Sequence, residues 1–110
     1  MKTLYGVPMK EIIISFEKSK IYGKKYTAII KNLETGRVHR IHFGGDGYEQ
    51  FEDSTPNKLY SNVDHGDIKR RENYFSRHSG VKTKREAVIK ELHKSLGHYN
   101  AKILSHIYLW

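Results

Sequence analysis

The sequence predicts an α+β fold, with a small antiparallel sheet of about three strands followed by a long connection and two or three helices. Three observations predict it. Between Glu11 and Phe43 lie three runs rich in β-branched and aromatic side chains; Thr83-Lys84-Arg85-Glu86 has the spacing of a helix-opening capping box; and the strand-like runs all precede the helical ones.

The runs are EIIISF, YTAIIK and RVHRIHF, separated by Gly, Lys and Asn. Asn32-Leu33-Glu34-Thr35-Gly36 joins the second to the third and puts glycine where a positive φ is commonly needed, so these two strands form an antiparallel hairpin. Ile12, Ile14, Ile29 and Ile41 are the expected core of the sheet. Gly44-Gly45-Asp46-Gly47 ends it as a turn; neither a P-loop nor a dinucleotide fingerprint follows. Residues 44–66 then have no sustained period and read as a partly extended connection wrapped over the domain.

Helical signals resume at Asp67. The capped helix after Thr83 is expected to run to Leu96, with Gly97 stopping it. Val88, Ile89, Leu92 and Leu96 form its buried stripe, and Lys84, Arg85, Lys90 and Lys94 its wet side. The closing AKILSHIYLW is apolar but short, a docking segment that ends in Trp110 rather than a membrane anchor. The whole is one domain over 1–110, with sheet region 11–43, connection 44–66 and a basic helical region with apolar tail over 67–110.

The chain has 110 residues, 20 Lys+Arg against 12 Asp+Glu and a formal net charge of +8, a balance that favours polyanionic partners. The excess sits in the second half. Residues 1–55 hold nine basic and seven acidic side chains, residues 56–110 eleven and five. Cysteine is absent, so a disulfide framework and a thiolate zinc site are both excluded, and no cofactor is expected. The first residues lack the apolar run of a secretory signal and no stretch approaches a membrane span, so a soluble, non-secreted protein with no membrane partner is expected.

The segment Asp64–Gly80, DHGDIKRRENYFSRHSG, concentrates Lys69, Arg70, Arg71 and Arg77 with Tyr74, Phe75, His65 and His78. On a helix, Asp67, Arg71, Tyr74 and His78 share one stripe while Ile68 and Phe75 fall on another, so one face packs and the other presents guanidinium, phenol and imidazole outward. Guanidinium groups fork onto phosphate oxygens and aromatic rings stack on bases. The competing role for Arg70, Arg71 and Arg77 is internal: pairing with Glu49, Glu52, Asp53 or Glu72 would knit the connection to the helix. Asp53, Asp64, His65, Asp67 and His78 form the one grouping able to hold a hard cation for metal-assisted phosphodiester cleavage. Asp64 or Asp67 is more simply a helix N-cap.

The ordered elements YTAIIKN..TGR, IHFG, Y..F.D.T, DH.D..RR..Y..RHSG and the final YLW resemble a small family encoded by large DNA viruses of algae and amoebae and by some phages. The likeness spans Tyr22 to Gly80 plus the last residues and leaves out the capped helix between Val81 and Ala101. It implies viral origin, a location in the virion or the infected host cell, and a place in the particle or in genome handling; it implies no activity. Together with the charge, it leads to a small, basic, non-enzymatic viral protein that binds nucleic acid, expected to be DNA, or is associated with the packaged genome. The expected contact residues are Lys69, Arg70, Arg71, Tyr74, Arg77, His78, Lys82, Lys84, Arg85, Lys90 and Lys94. The alternative is a minor capsid or cementing protein whose apolar tail buries against coat subunits. A third reading is a metal-dependent nuclease.

Overall fold

The computed structural model describes residues 2–110. Five strands and three helices follow in the order β1 (Thr3–Leu4), β2 (Val7–Pro8), β3 (Glu11–Lys18), β4 (Lys24–Asn32), β5 (Val38–Gly45), α1 (Ile68–Ser79), α2 (Lys84–Lys94) and α3 (Ala101–Tyr108). Strands β3, β4 and β5 form one antiparallel sheet in that spatial order, so the predicted α+β architecture is present. The predicted hairpin joins β4 to β5: Gly36 has φ 73°, and Asn32 Oδ1 accepts from the N–H groups of Glu34 and Thr35, both at 2.9 Å. A smaller hairpin, β1–β2, precedes the sheet. It turns at Tyr5 and Gly6, which both have positive φ (52° and 78°), as a two-residue type I′ turn requires.

The inward face of the sheet differs from the expected one. Tyr26, Ala28 and Ile30 on β4 are fully buried with Phe43 of β5, and alternation therefore turns Ile29 to the opposite face. A register shift between Ile13 and Ser15 changes parity along β3. Ile13 and Phe16 consequently pack on the core, while Ile14 is 52% exposed and Ile12 only half-buried. Of the four isoleucines expected in the core, only Ile41, paired with Ala28, lies against it.

The apolar tail is the centre of the helical layer. Leu104 and Leu109 join Tyr26, Ala28, Ile30 and Phe43 in one cluster, whereas Ile103, on the same helix, joins Val88 and Leu92 of α2 and Val7 and Met9 of the N-terminal segment. Asn100 caps α3 by accepting from Ile103 N–H at 2.8 Å. An eight-residue helix has little stability alone, so this one stands on burial at about 1.5–3 kcal/mol for each enclosed aliphatic side chain.

Helices α1 and α2 begin as their caps predict. Asp67 Oδ1 accepts from Arg70 N–H at 3.1 Å, and Thr83 Oγ1 from Glu86 N–H at 3.3 Å. The packed face of α1, however, is Tyr74, Phe75 and Ser79, while Ile68 is 61% exposed. Helix α2 ends at Lys94 rather than Leu96. Leu96 has φ 55° and points into solvent, outside the buried stripe of Val88 and Leu92. Gly97 N–H then closes the turn on Leu92 C=O at 3.0 Å. Gly97, at φ 81°, has no room for a side chain: a β-carbon there would lie 2.4 Å from Pro8 O. The N-terminal segment thus seats its backbone directly on the α2–α3 turn.

The connection after β5 is partly extended, with one 3-10 turn at Ser61–Val63, and is tied to the rest of the fold by hydrogen bonds. Glu52 N–H and Ser54 N–H donate to the carbonyls of Leu109 (3.1 Å) and Tyr108 (2.9 Å), which satisfies the C-terminal end of α3. Asp53, 1% exposed, collects four donors: Tyr26 hydroxyl, Thr55 N–H at 3.0 Å, Thr55 hydroxyl at 2.6 Å and Tyr60 N–H at 3.1 Å. Burial alone would raise its pKa, but the bonds from Thr55, Tyr26 and Tyr60 prevail and hold the carboxyl below its ordinary value. Tyr26 is correspondingly pushed up to about 12, first by burial and then by its bond to Asp53.

Candidate nucleic-acid interface

Where the end of the sheet meets α1 and α3, a cleft of about 610 Å³ opens. Its cationic groups come from three separate parts of the chain: Lys24 and Lys25 at the start of β4, Arg70 and Arg77 on α1, and Lys102 on α3. Among the described residues the only side-chain carboxylate in its lining is Glu49, which accepts from Arg70 Nη1 at 3.0 Å. Aromatic surface is supplied by Tyr48, Tyr74 and Trp110. Cations around aromatic faces are the chemistry that holds phosphates and bases together.

Lys25 is 2% exposed, and its ammonium donates to Tyr48 C=O at 2.6 Å and to Gln50 Oε1. Burial lowers its pKa, opposed by the charges of Asp46, Asp53 and Asp64. The same Gln50 gives its amide N–H groups to Tyr60 C=O at 2.8 Å and Asp64 Oδ1 at 2.7 Å, so the cleft floor is fixed to the connection. A glycine forms part of the floor by necessity: at Gly44 (φ 79°), a β-carbon would approach Leu109 Cδ1 to 2.9 Å.

The back wall is a stack. Tyr74 and Trp110 lie parallel at 3°, with ring centroids 4.2 Å apart. Tyr74 is therefore not the outward-facing phenol its helical stripe suggests. It is buried, and its hydroxyl meets His106 Nδ1 at 2.9 Å. His106 is fully buried, with Nε2 2.7 Å from Ser79 Oγ, and Ser79 Oγ donates to Glu91 Oε2 at 2.8 Å. Because a carboxylate only accepts, Ser79 spends its proton on Glu91 and accepts from His106 Nε2–H; Nδ1 then accepts from Tyr74. That polarity requires a neutral imidazole. Burial pushes the His106 pKa down to about 4, an effect stronger than the opposing charge of Glu91. Burial likewise raises Tyr74 well above the ordinary tyrosine range.

The expected contact residues divide among four environments. Arg70, Tyr74, Arg77 and His78 line the cleft, with Arg77 and His78 exposed and the His78 pKa lowered by burial and by the charges of Arg77 and Lys102. Arg71 lies over the Phe51 ring at 4.2 Å and, with the Arg70–Glu49 pair, knits the connection to α1. Lys84 leaves the wet side of α2 and donates to Ile107 C=O at 2.7 Å, while Lys90 stays exposed there and donates to Ser79 C=O at 2.6 Å, each bond at the C-terminal end of another helix. Lys84 is lowered in pKa by burial and by Arg71. Lys69, Lys82, Arg85 and Lys94 are exposed outside the cleft, and Lys94 lies 3.7 Å from Glu91. Lys24, Lys25, Tyr48, Lys102 and Trp110 also line the cleft, outside the set expected from sequence. The signals available were the Lys24-Lys25 pair, the single tryptophan and the glycines that let chain segments approach.

The proposed cation-binding grouping is dispersed into structural bonds. Asp53 is filled by its four donors, Asp64 Oδ1 accepts from Gln50 and from Asp53 N–H (2.8 Å), Asp67 caps α1, and His65 Nδ1 accepts from Asp67 N–H at 2.9 Å. Among the described residues no three His, Asp or Glu side chains converge on one point, and no helix is long and apolar enough to cross a membrane. The chain matches no known family model, no curated protein and no solved structure.

Proposed function

We propose that this protein is a non-enzymatic nucleic-acid-binding protein that holds a phosphate backbone in the cleft between the sheet end, α1 and α3. The observation that carries the reading is the cleft's charge: four exposed cationic side chains, Lys24, Arg70, Arg77 and Lys102, against the side-chain carboxylate of Glu49, which is already paired with Arg70. Such a site draws affinity from counterion release. The resemblance to proteins of large DNA viruses makes viral DNA in the particle or the infected cell the natural polyanion. The apolar tail, one of the two supports for the coat-protein alternative, packs Ile103, Leu104 and Leu109 within its own chain, which favours the nucleic-acid reading.

The test is fluorescence anisotropy with labelled duplex and single-stranded DNA across a salt series. Lys24 and Arg77 are exposed and, among the described residues, form no salt bridge. Lys24→Gln combined with Arg77→Gln is therefore expected to weaken binding, flatten the slope of log K against log salt by about 2, and leave the melting temperature unchanged. An affinity of the parent protein that does not change between low and physiological salt would sink the reading.

A further inference from the structure

We propose that the polynucleotide the cleft takes is single-stranded, with a base stacked on Tyr48; this rests on the nucleic-acid reading above. Tyr48 is 73% exposed at the rim of the cleft, where the face of its ring is open to a stacking partner. It is also held in place. Its N–H reaches Gly45 C=O at 3.3 Å, its own carbonyl accepts from the buried Lys25 ammonium at 2.6 Å, and one edge of its ring lies on Gly45, where a β-carbon would come within 2.9 Å of Cδ2. Glycine at position 45 is thus what lets the ring settle against the backbone. The ring's remaining surface is free.

A second exposed tyrosine sits on a segment bonded to the same turn. Tyr22 is wholly exposed and precedes Gly23, whose carbonyl accepts from Asp46 N–H at 3.0 Å; a smaller groove of about 260 Å³ runs between Tyr22, Gly23, Asp46 and Gly47. An exposed ring at the rim of a cationic cleft matches the stacking platform and electrostatic funnel of single-strand binders. A duplex keeps its base faces stacked on each other and offers neither ring a partner. The cleft, at about 610 Å³, has the volume of a small-molecule site and suits an unstacked nucleotide unit better than a double helix.

The deciding experiment measures anisotropy at low salt with labelled thymidine and uridine homopolymers of about ten nucleotides and with a duplex of equal length. The proteins are the parent, Tyr48→Ala, Tyr48→Phe and Gly45→Ala, each checked by circular dichroism and thermal melting. The parent is expected to prefer both single strands over the duplex. Tyr48→Ala is expected to weaken single-strand binding by about 5- to 150-fold with its salt slope retained, because a base contact and no charge is lost. Tyr48→Phe keeps the ring and the affinity, while Gly45→Ala displaces the ring and falls between. A preference for duplex, or a Tyr48→Ala protein that binds single strands like the parent, overturns the inference while the charged cleft stands. Absence of binding to every probe at low salt overturns both readings.

Discussion

Trp110, the last residue of the chain, stacks face to face on Tyr74 of α1, and the pair closes the back of the cationic cleft. The stack couples site and stability, since the tail that supplies Trp110 also supplies Leu109 to the sheet-side cluster and the carbonyls of Tyr108 and Leu109 to the connection. Deleting residues 107–110 is expected to unfold the isolated domain, measured by thermal melting and far-UV circular dichroism. Trp110→Ala alone should cost about 2 kcal/mol, below the 3–5 of a fully buried ring because Trp110 is half-buried. A truncated protein that melts like the parent would mean that the tail does not hold this fold together.

The Tyr74–His106–Ser79–Glu91 chain makes stability depend on acid. Folded His106 titrates at about 4 against an ordinary 6.5, so below pH 6.5 the unfolded chain takes up a proton that the folded one refuses. Stability is complete above that pH and falls as pH drops towards 4, by about 3 kcal/mol for this group. Glu91 opposes the shift, whereas His78, Lys102 and Lys84 reinforce it; His65 and His78, both lowered by burial, add losses of the same sign. His106→Gln removes the titrating group, and its denaturant midpoint should change less between pH 6.5 and 4 than the parent's. An equal pH slope in the two proteins would show that the acid sensitivity lies elsewhere.

Two adjacent residues after α2 give opposite expectations. Leu96 holds φ 55° with its side chain in solvent, so Leu96→Gly relieves a left-handed strain of about 1 kcal/mol and raises the melting temperature. Gly97 also has positive φ, but any β-carbon meets Pro8 O. Gly97→Ala should therefore destabilise by more than Leu96→Gly stabilises, and pry the N-terminal hairpin from the α2–α3 turn. Matched urea titrations of the two variants check the signs.

What could be read from the sequence was local. The Asn32–Gly36 hairpin and the caps at Asp67 and Thr83 depend on residues within a few positions of each other, and they formed as their chemistry dictates. The inward face of the sheet was not legible, because Ile12-Ile13-Ile14 carries no polar residue to mark parity and the irregularity before Ser15 shifts it. The orientation of Tyr74 is hidden for a related reason: the imidazole and ring that bury it, His106 and Trp110, come from a helix and tail more than 30 residues further along the chain. Lys84 and Lys90 have the spacing of a solvated helix face, yet their long stems reach carbonyls on α3 and α1. The cleft itself is a tertiary product, and only its α1 share was visible beforehand.

Arg71 and Arg77, both within the basic run of α1, separate scaffold from contact surface. Arg71 covers the Phe51 ring at 4.2 Å and is half-buried, whereas Arg77 is exposed in the cleft lining. Arg71→Ala loses a guanidinium–aromatic contact and the packing of its stem, and is expected to cost about 1 kcal/mol of stability with little direct effect on affinity. Arg77→Ala is expected to leave stability within about 0.5 kcal/mol and to weaken polynucleotide binding at low salt, where each phosphate contact counts most. The α2 lysines supply the control: reversing Lys84 and Lys90 should lower the melting temperature by uncapping α3 and α1, whereas reversing Arg85 should not. Melting curves and binding isotherms on the same preparations decide it. If Arg77→Ala bound like the parent while Arg85 reversal abolished binding, the contact face would lie on α2 and not in the cleft.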